Sequence, residues 1–237
     1  MEKLIFIDTE TTGIDILVDR LMQVAYKSKG KIYSEYFKPP VPISIKSMSI
    51  SHITNKMVEG KQGFADSQMK NDLQETLKDN ILVAHNALFD IDMLAKEGVK
   101  VNRYIDTLKV ARYLDANLEI PEFNLQFLRY YYNIEVDARA HDAKGDVLVL
   151  EAIFKVLFEK IKKELKDEGA VIEKMIEVTL NPFLFQIFSY GKHKGKKIEE
   201  VLSYDRGYLE WMLEQKLQNE YLDDDWIYSL KYYLKVN

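Results

Sequence analysis

The sequence contains no cysteine, which excludes disulfides, thiolate zinc sites and cysteine-ligated iron–sulfur clusters. Any metal must therefore be held by oxygen or imidazole, and only four histidines are available. There is no excess of positive charge either: 33 Lys and Arg against 38 Asp and Glu leave a net charge of −5. A polyanion is not drawn by the chain as a whole and has to be held by local features. Long apolar runs are also missing. Leu4–Ile7 and Ile81–Ala84 fall far short of the roughly 20 residues a membrane-spanning helix needs. No secretory leader precedes the first strand-like segment, so the expectation is a soluble, cytoplasmic protein with no membrane partner. What is present is 237 residues that are 47% hydrophobic, enough for one ordinary domain and a small second one.

Leu4-Ile5-Phe6-Ile7-Asp8 reads as a buried central strand ending near Asp8 to Glu10, with a turn at Gly13. Strand-like stretches over 21–28 and 31–37 flank Lys29-Gly30, a two-residue hairpin signal. Prolines at 39, 40 and 42 then interrupt regular structure. Helical spacing over 64–79, a strand at 81–84, a helix over 87–96 stopped by Gly98 and a short strand at 104–105 give alternating elements. That order predicts an α/β fold with a mixed sheet flanked by helices. Residues 125–132 are expected to be helical, and 142–166 to form one long helix with an apolar stripe, capped by Asp142. The predicted division is a domain over 1–168, a helical connection over 169–181 and a small module over 182–237. The module is rich in aromatics and carries the loop Gly191-Lys192-His193-Lys194-Gly195-Lys196-Lys197. Tyr208 and Trp211 sit at helical spacing, read here as the module's own core; the alternative is a stacking surface beside a phosphate-tracking lysine loop.

Three acidic sites invite a chemical reading. In Asp8-Thr9-Glu10 the two carboxylates lie at i and i+2 of a strand and face one volume. Such a pair repels itself unless a cation compensates, which points to a hard, oxygen-ligated metal; taken alone, it reads more readily as a turn beside a solvated acid. His85-Asn86-Ala87-Leu88-Phe89-Asp90 spans a strand–helix junction, where Asp90 is either a ligand or a helix-dipole partner. His141-Asp142-Ala143-Lys144-Gly145-Asp146 opens the long helix, either as a capped start or as a functional pair.

The ordered set is far more specific than its parts. Asp8-Thr9-Glu10-Thr11-Thr12-Gly13, His85-Asn86-x-x-Phe89-Asp90 and His141-Asp142-x-x-x-Asp146 resemble the three motifs of the DEDDh (DnaQ-like) 3′-to-5′ exonucleases. Ile50–Thr54, with Met57-Val58, and Asp106-Thr107-Leu108 resemble further family segments. Tyr190–Lys196, followed by Asp205, Tyr208, Leu209 and Trp211, resembles the small C-terminal module of exonuclease X-like members.

The resemblance implies a ribonuclease H-like mixed sheet with a small α+β C-terminal module. It also implies that Asp8, Glu10, Asp90 and Asp146 hold two Mg²⁺ or Mn²⁺ ions and that His141 is the general base. Substrate contacts would fall to Thr9, Thr11, Thr12, Gly13, His85, Asn86 and Phe89, with Gly13 admitting the nucleotide close to the backbone; Ile14, which follows, is either a wedge against the terminal base or an ordinary loop hydrophobe. The implied partners are DNA 3′ ends, single-stranded and duplex, and the product is mononucleotides. RNA trimming stays open because the metal chemistry needs no particular sugar. A non-catalytic binding subunit is disfavoured because all four acids and the histidine are present.

Overall fold

A computed structural model describes residues 3–115, 119–136, 142–218 and 224–236. The chain divides into two compact units, Met1–Asp115 with Glu122–Thr179, and Ala116–Pro121 with Leu180–Asn237.

The first unit is built on a five-stranded sheet ordered β3-β2-β1-β4-β5, with β1 at Leu4–Thr11, β2 at Leu21–Ser28, β3 at Lys31–Tyr36, β4 at Ile81–Ala84 and β5 at Tyr104–Asp106. Strands β1, β2 and β3 run as an antiparallel meander, while β4 and β5 lie parallel to β1, giving the expected ribonuclease H-like mixed sheet. Lys29 and Gly30 turn the hairpin with positive φ of 48° and 78°, the conformation that matches its twist. Between β3 and β4 lie α1 (Ile45–Ser51), α2 (Asn55–Val58), a 3-10 turn at Phe64–Asp66 and α3 (Gln68–Leu77). The helix expected over 64–79 is broken there, because the Ser67 hydroxyl caps α3 at the Lys70 amide. Helices α4 (Ala87–Lys96), α5 (Thr107–Leu114), α6 (Leu125–Tyr131), α7 (Ala143–Leu165) and α8 (Glu168–Leu180) follow.

Central strand β1 is covered on both faces, so its apolar residues run without alternation. Ile5 and Ile7 pack with Leu73, Leu77, Met93 and Leu94 of α3 and α4. Phe6 points the other way and meets Phe154 of α7 edge-on at 5.3 Å. Helix α8 is packed through buried Val171, Met175, Ile176 and Thr179, so the stretch over 169–179 is an integral helix of this unit.

The second unit holds α9 (Ile198–Tyr204), α10 (Arg206–Leu217) and α11 (Asp224–Leu234), with an antiparallel bridge between Ile187 and Lys197. Its core is Phe185, Phe188, Ile198, Val201, Leu209, Met212, Leu213, Trp226, Leu230 and Leu234. Helix α10 buries Leu209, Met212 and Leu213, an i, i+3, i+4 stripe. Trp211 falls on the opposite face and is 53% exposed, so the expectation that it belongs to the core does not hold, while Tyr208 packs partly buried at the edge of that core. No helix among the described residues is long and apolar enough to cross a membrane.

Candidate active site

The face alternation of β1 decides which acids meet. Asp8 and Glu10 lie on the same side as Phe6, the side covered by α7. From Phe6 to Glu10 the strand rises about 13 Å at ~3.3 Å per residue. From Phe154 back to Asp146 the helix descends about 12 Å at ~1.5 Å per residue. The two paths end together, and one carboxylate oxygen each from Asp8, Glu10 and Asp146 lies within 4.8 Å of the others. Asp90 arrives from the opposite layer. Thr9 faces α4 and donates its hydroxyl to Asp90 Oδ1 at 2.7 Å, tying that buried carboxylate to the end of the strand.

The electrostatics of this cluster are unfavourable without a cation. Burial, with Asp146, Asp142 and Asp90 adding repulsion, raises Glu10 to about 7. Burial and then the Asp90, Asp146 and Glu10 charges hold Asp8 well above the usual carboxylate range. Burial lifts Asp90 to about 7 against the opposing Thr9 hydrogen bonds. Among the described residues neither Asp8 nor Glu10 has a Lys, Arg or His partner. A tight, all-oxygen, mutually repelling donor set fits a hard divalent cation.

Other polar side chains hold this arrangement. Gln126 of α6 donates Nε2 to Asp146 Oδ1 at 2.6 Å. Gln23, buried on β2 opposite Glu10, donates Nε2 to Asp142 Oδ1 at 2.8 Å and accepts from the Ala143 amide at 3.3 Å. Asp142 therefore does not cap α7 with its side chain as expected, because Gln23 holds its carboxylate. Buried Asp106 accepts from the amides of Asn86 (3.0 Å), Ala87 (3.2 Å) and Leu108 (2.9 Å), locking the β4–α4 turn to the β5–α5 turn. None of Gln23, Gln126 or the Asp106 bracing was foreseen. Only the burial of a glutamine within an apolar strand marks Gln23, and nothing local marks Gln126.

The expected substrate residues take varied places. Thr11 donates to Gly13 O at 2.6 Å, and buried Thr12 donates to Asp19 Oδ1 at 2.7 Å. Gly13 is small for a reason internal to the fold, since a Cβ there would collide with the Asp19 carboxylate. Ile14 is 84% exposed on the β1–β2 loop beside exposed Leu17 and Val18. Lys96 braces that loop from α4, donating to the carbonyls of Ile16 (2.5 Å), Leu17 (2.7 Å) and Asp19 (3.1 Å). Asn86 starts α4 in a left-handed conformation, φ 64°, with its side chain exposed. Phe89 packs partly buried against the core. His85 has Nδ1 2.9 Å from Thr107 Oγ1 and Nε2 2.6 Å from the Phe123 carbonyl, and burial lowers its pKa. His141 lies outside the described residues.

Residues 5–154 match the family model described as Exonuclease (RNase_T). The chain belongs to this exonuclease family. It is accordingly a nuclease that hydrolyses nucleic acid from chain ends, and the sequence resemblance to DnaQ-like exonucleases holds. Residues 188–217 of this exonuclease match a second model, Exodeoxyribonuclease X-like C-terminal. Exodeoxyribonuclease 10 of Escherichia coli (strain K12) is 27% identical over 234 residues, 97% of each chain. DNA polymerase III subunit epsilon of Treponema pallidum (strain Nichols) is 28% identical over 191 residues, 76% of this chain and 86% of that relative. Among solved structures, exonuclease X in complex with 5′ overhanging duplex DNA shares 26% identity at a TM-score of 0.58, covering 74% of this exonuclease and 99% of that chain.

Proposed function

We propose that the protein is a 3′-to-5′ exodeoxyribonuclease that releases mononucleotides from DNA 3′ ends. The observation that carries this reading is the convergence of Asp8, Glu10 and Asp146 within 4.8 Å, with Asp90 tied to the same strand end through Thr9. DNA as substrate is supported by the similarity to an exodeoxyribonuclease and to an exonuclease X bound to duplex DNA with a 5′ overhang.

Asp8, Glu10, Asp90 and Asp146 would hold two Mg²⁺ or Mn²⁺ ions. When bound, such ions neutralise charge at the scissile phosphate and make water more acidic. The protein's own part is to orient and to move a proton. Thr9 and Gln126 fix the carboxylates of Asp90 and Asp146 from opposite layers of the fold. His141 takes the proton of the attacking water as the P–O bond to the 3′ oxygen breaks, a task suited to an imidazole. Gln23 and Asp142 anchor the start of α7, directly after His141. Ile14, exposed with Leu17 and Val18 on a loop braced by Lys96, is the wedge against the terminal base.

Parallel digestion of single-stranded DNA, duplex DNA and RNA with matched 3′ ends, with and without Mg²⁺, tests the proposal. Metal-dependent release of deoxymononucleotides from the 3′ end is expected. Hydrolysis of RNA alone, internal cleavage, or no hydrolysis with Mg²⁺ or with Mn²⁺ in its place would refute it.

A further inference from the structure

The active site leaves unused the segment that most marks the second unit, the loop Tyr190–Lys197. It is a tight knuckle with a fixed backbone. His193 turns inward, 5% exposed, its ring edge-on to Tyr208 at 4.8 Å and to Tyr204 at 5.8 Å. Its Nε2 lies 2.8 Å from Asp205 Oδ2. The amides of Gly195, Lys194 and Lys196 donate to the carbonyls of Phe188, Gly191 and His193. Gly191 takes φ 78° and has no room for a Cβ beneath the Tyr208 hydroxyl. With its one imidazole inside, the knuckle leaves Lys192, Lys194, Lys196 and Lys197 all exposed.

Four ammonium groups within six residues are a strong local exception in a chain of net charge −5. Lys192 is paired with Asp205 at 2.7 Å, but Lys194 and Lys197 have no carboxylate partner among the described residues. Lys196 leans on Tyr204, 5.4 Å from the ring centre. The nearest acids in sequence, Glu199 and Glu200, occupy the first turn of α9.

Aromatic rings complete this surface. The core of the unit is filled by stacked Phe185, Phe188 and Trp226, with Tyr190 edge-on to Trp226 at 5.4 Å, while the rings of Tyr204 and Trp211 lie outside that core. Tyr190, Tyr204 and Trp211 are 41%, 54% and 53% exposed. Tyr204 lies against the Lys196 ammonium, and Trp211 packs at 5.6 Å on Tyr208, whose ring has Lys192 6.0 Å from its centre, so exposed rings and ammonium groups offer stacking faces and phosphate contacts on one small unit.

We propose that the lysine knuckle of the second unit, with Trp211 and Tyr204, is a docking surface for single-stranded nucleic acid that uses none of the catalytic carboxylates. Lys194, Lys196 and Lys197 contact phosphates, and Trp211 and Tyr204 stack on bases without reading sequence. Charge complementarity selects a polyanion, the exposed rings select one with flat apolar faces, and single strands alone present unpaired bases. The choice of nucleic acid rests on the exonuclease reading. The consequence is a second grip that raises the affinity for long strands and does nothing for very short ones.

The test uses the full chain. Binding of a fluorescent 30-nucleotide oligo-dT is measured in EDTA at several salt concentrations for wild type, K194Q/K196Q/K197Q and W211A. Loss of three phosphate contacts at about 0.7 each is expected to shrink the log–log salt slope by about 2. W211A is expected to bind ~10-fold more weakly with the slope unchanged, as for one lost stacked base. Mg²⁺-dependent hydrolysis of a trinucleotide is expected to stay at the wild-type rate in both variants, which also shows that they fold. Unchanged oligo-dT affinity and slope in the triple variant overturn the proposal. So does loss of binding to phosphatidylserine vesicles while oligo-dT binding persists, which would assign the surface to membranes. If wild type fails to hydrolyse the trinucleotide while the binding differences appear, the exonuclease reading falls and the docking surface stands.

Discussion

Replacing Glu10 with Gln should stabilise the metal-free protein increasingly as pH rises from about 4.5 to about 7, and most at and above neutral pH. Glu10 accepts no hydrogen bond among the described residues, and it is partly buried beside Asp8 and Asp146, so the isosteric amide removes charge without removing a contact. Its carboxyl is raised from 4.5 to about 7 by burial and then by Asp146, Asp142 and Asp90. A carboxyl whose folded pKa is raised holds its proton more tightly in the native state than in the unfolded chain. Stability is therefore fully present below about pH 4.5 and lost as pH rises through about 7. The rise from 4.5 to about 7 corresponds to an upper bound of ~3 kcal/mol, at ~1.36 kcal/mol per tenfold change in proton affinity; water entry and movement of the neighbours reduce this to ~1–3 kcal/mol. For a protein of this size the difference corresponds to roughly 3–10 °C in melting temperature.

Thermal and urea unfolding of wild type and Glu10→Gln in EDTA, at pH 4.5, 6 and 8, would read this difference directly. Comparing the two proteins cancels the opposing contribution of His85, whose pKa is lowered by burial. The curves should coincide at pH 4.5 and separate progressively, with the variant more stable at pH 8. Saturating Mg²⁺ should reverse the order, since a cation bound only by the folded wild type adds ~2.7 kcal/mol at a hundred times its Kd. A variant no more stable than wild type at pH 8 in EDTA would refute the idea that the carboxylates repel one another in the folded state.

His141→Ala should cut the rate by ~10²–10⁴-fold while Mn²⁺ and DNA affinity, measured by calorimetry, stay near wild type; loss of metal binding would make His141 a ligand and not a base. Gly13→Ala should destabilise the protein by ~1–3 kcal/mol in urea unfolding, because its Cβ collides with the Asp19 carboxylate that Thr12 and the Asp15 amide share; an unchanged midpoint would show that Asp19 can swing away. Lys96→Met removes three charge-assisted hydrogen bonds from the β1–β2 loop, so deuterium exchange at the 15–19 amides should accelerate, and an unchanged exchange pattern would remove its bracing role. Ile14→Ala should lose more activity on fully paired than on frayed 3′ ends, and equal losses would remove the wedge.

The sheet and its flanking helices were legible because their signals are local. An unbroken apolar run such as Leu4–Ile7, the Lys29-Gly30 turn and the long stripe of α7 each declare their element within a few residues. The order of the acidic motifs along the chain likewise identified the family, because covalent order survives without coordinates. That Asp8 and Glu10 share a face was also deducible, since alternation belongs to the strand itself. What covers that face was not. Asp146 comes to Glu10 because α7 lies antiparallel over β1 with Phe154 on Phe6, and Asp90 comes through Thr9 from the other layer. Gln126, the Gln23–Asp142 bond and the Lys96 brace join residues 20, 119 and about 80 positions apart, distances at which a linear pattern carries no information on contact. The outward face of Trp211 is the same kind of fact. Periodicity tells a helix which residues travel together, and only packing against its neighbours tells it which of them turn inward.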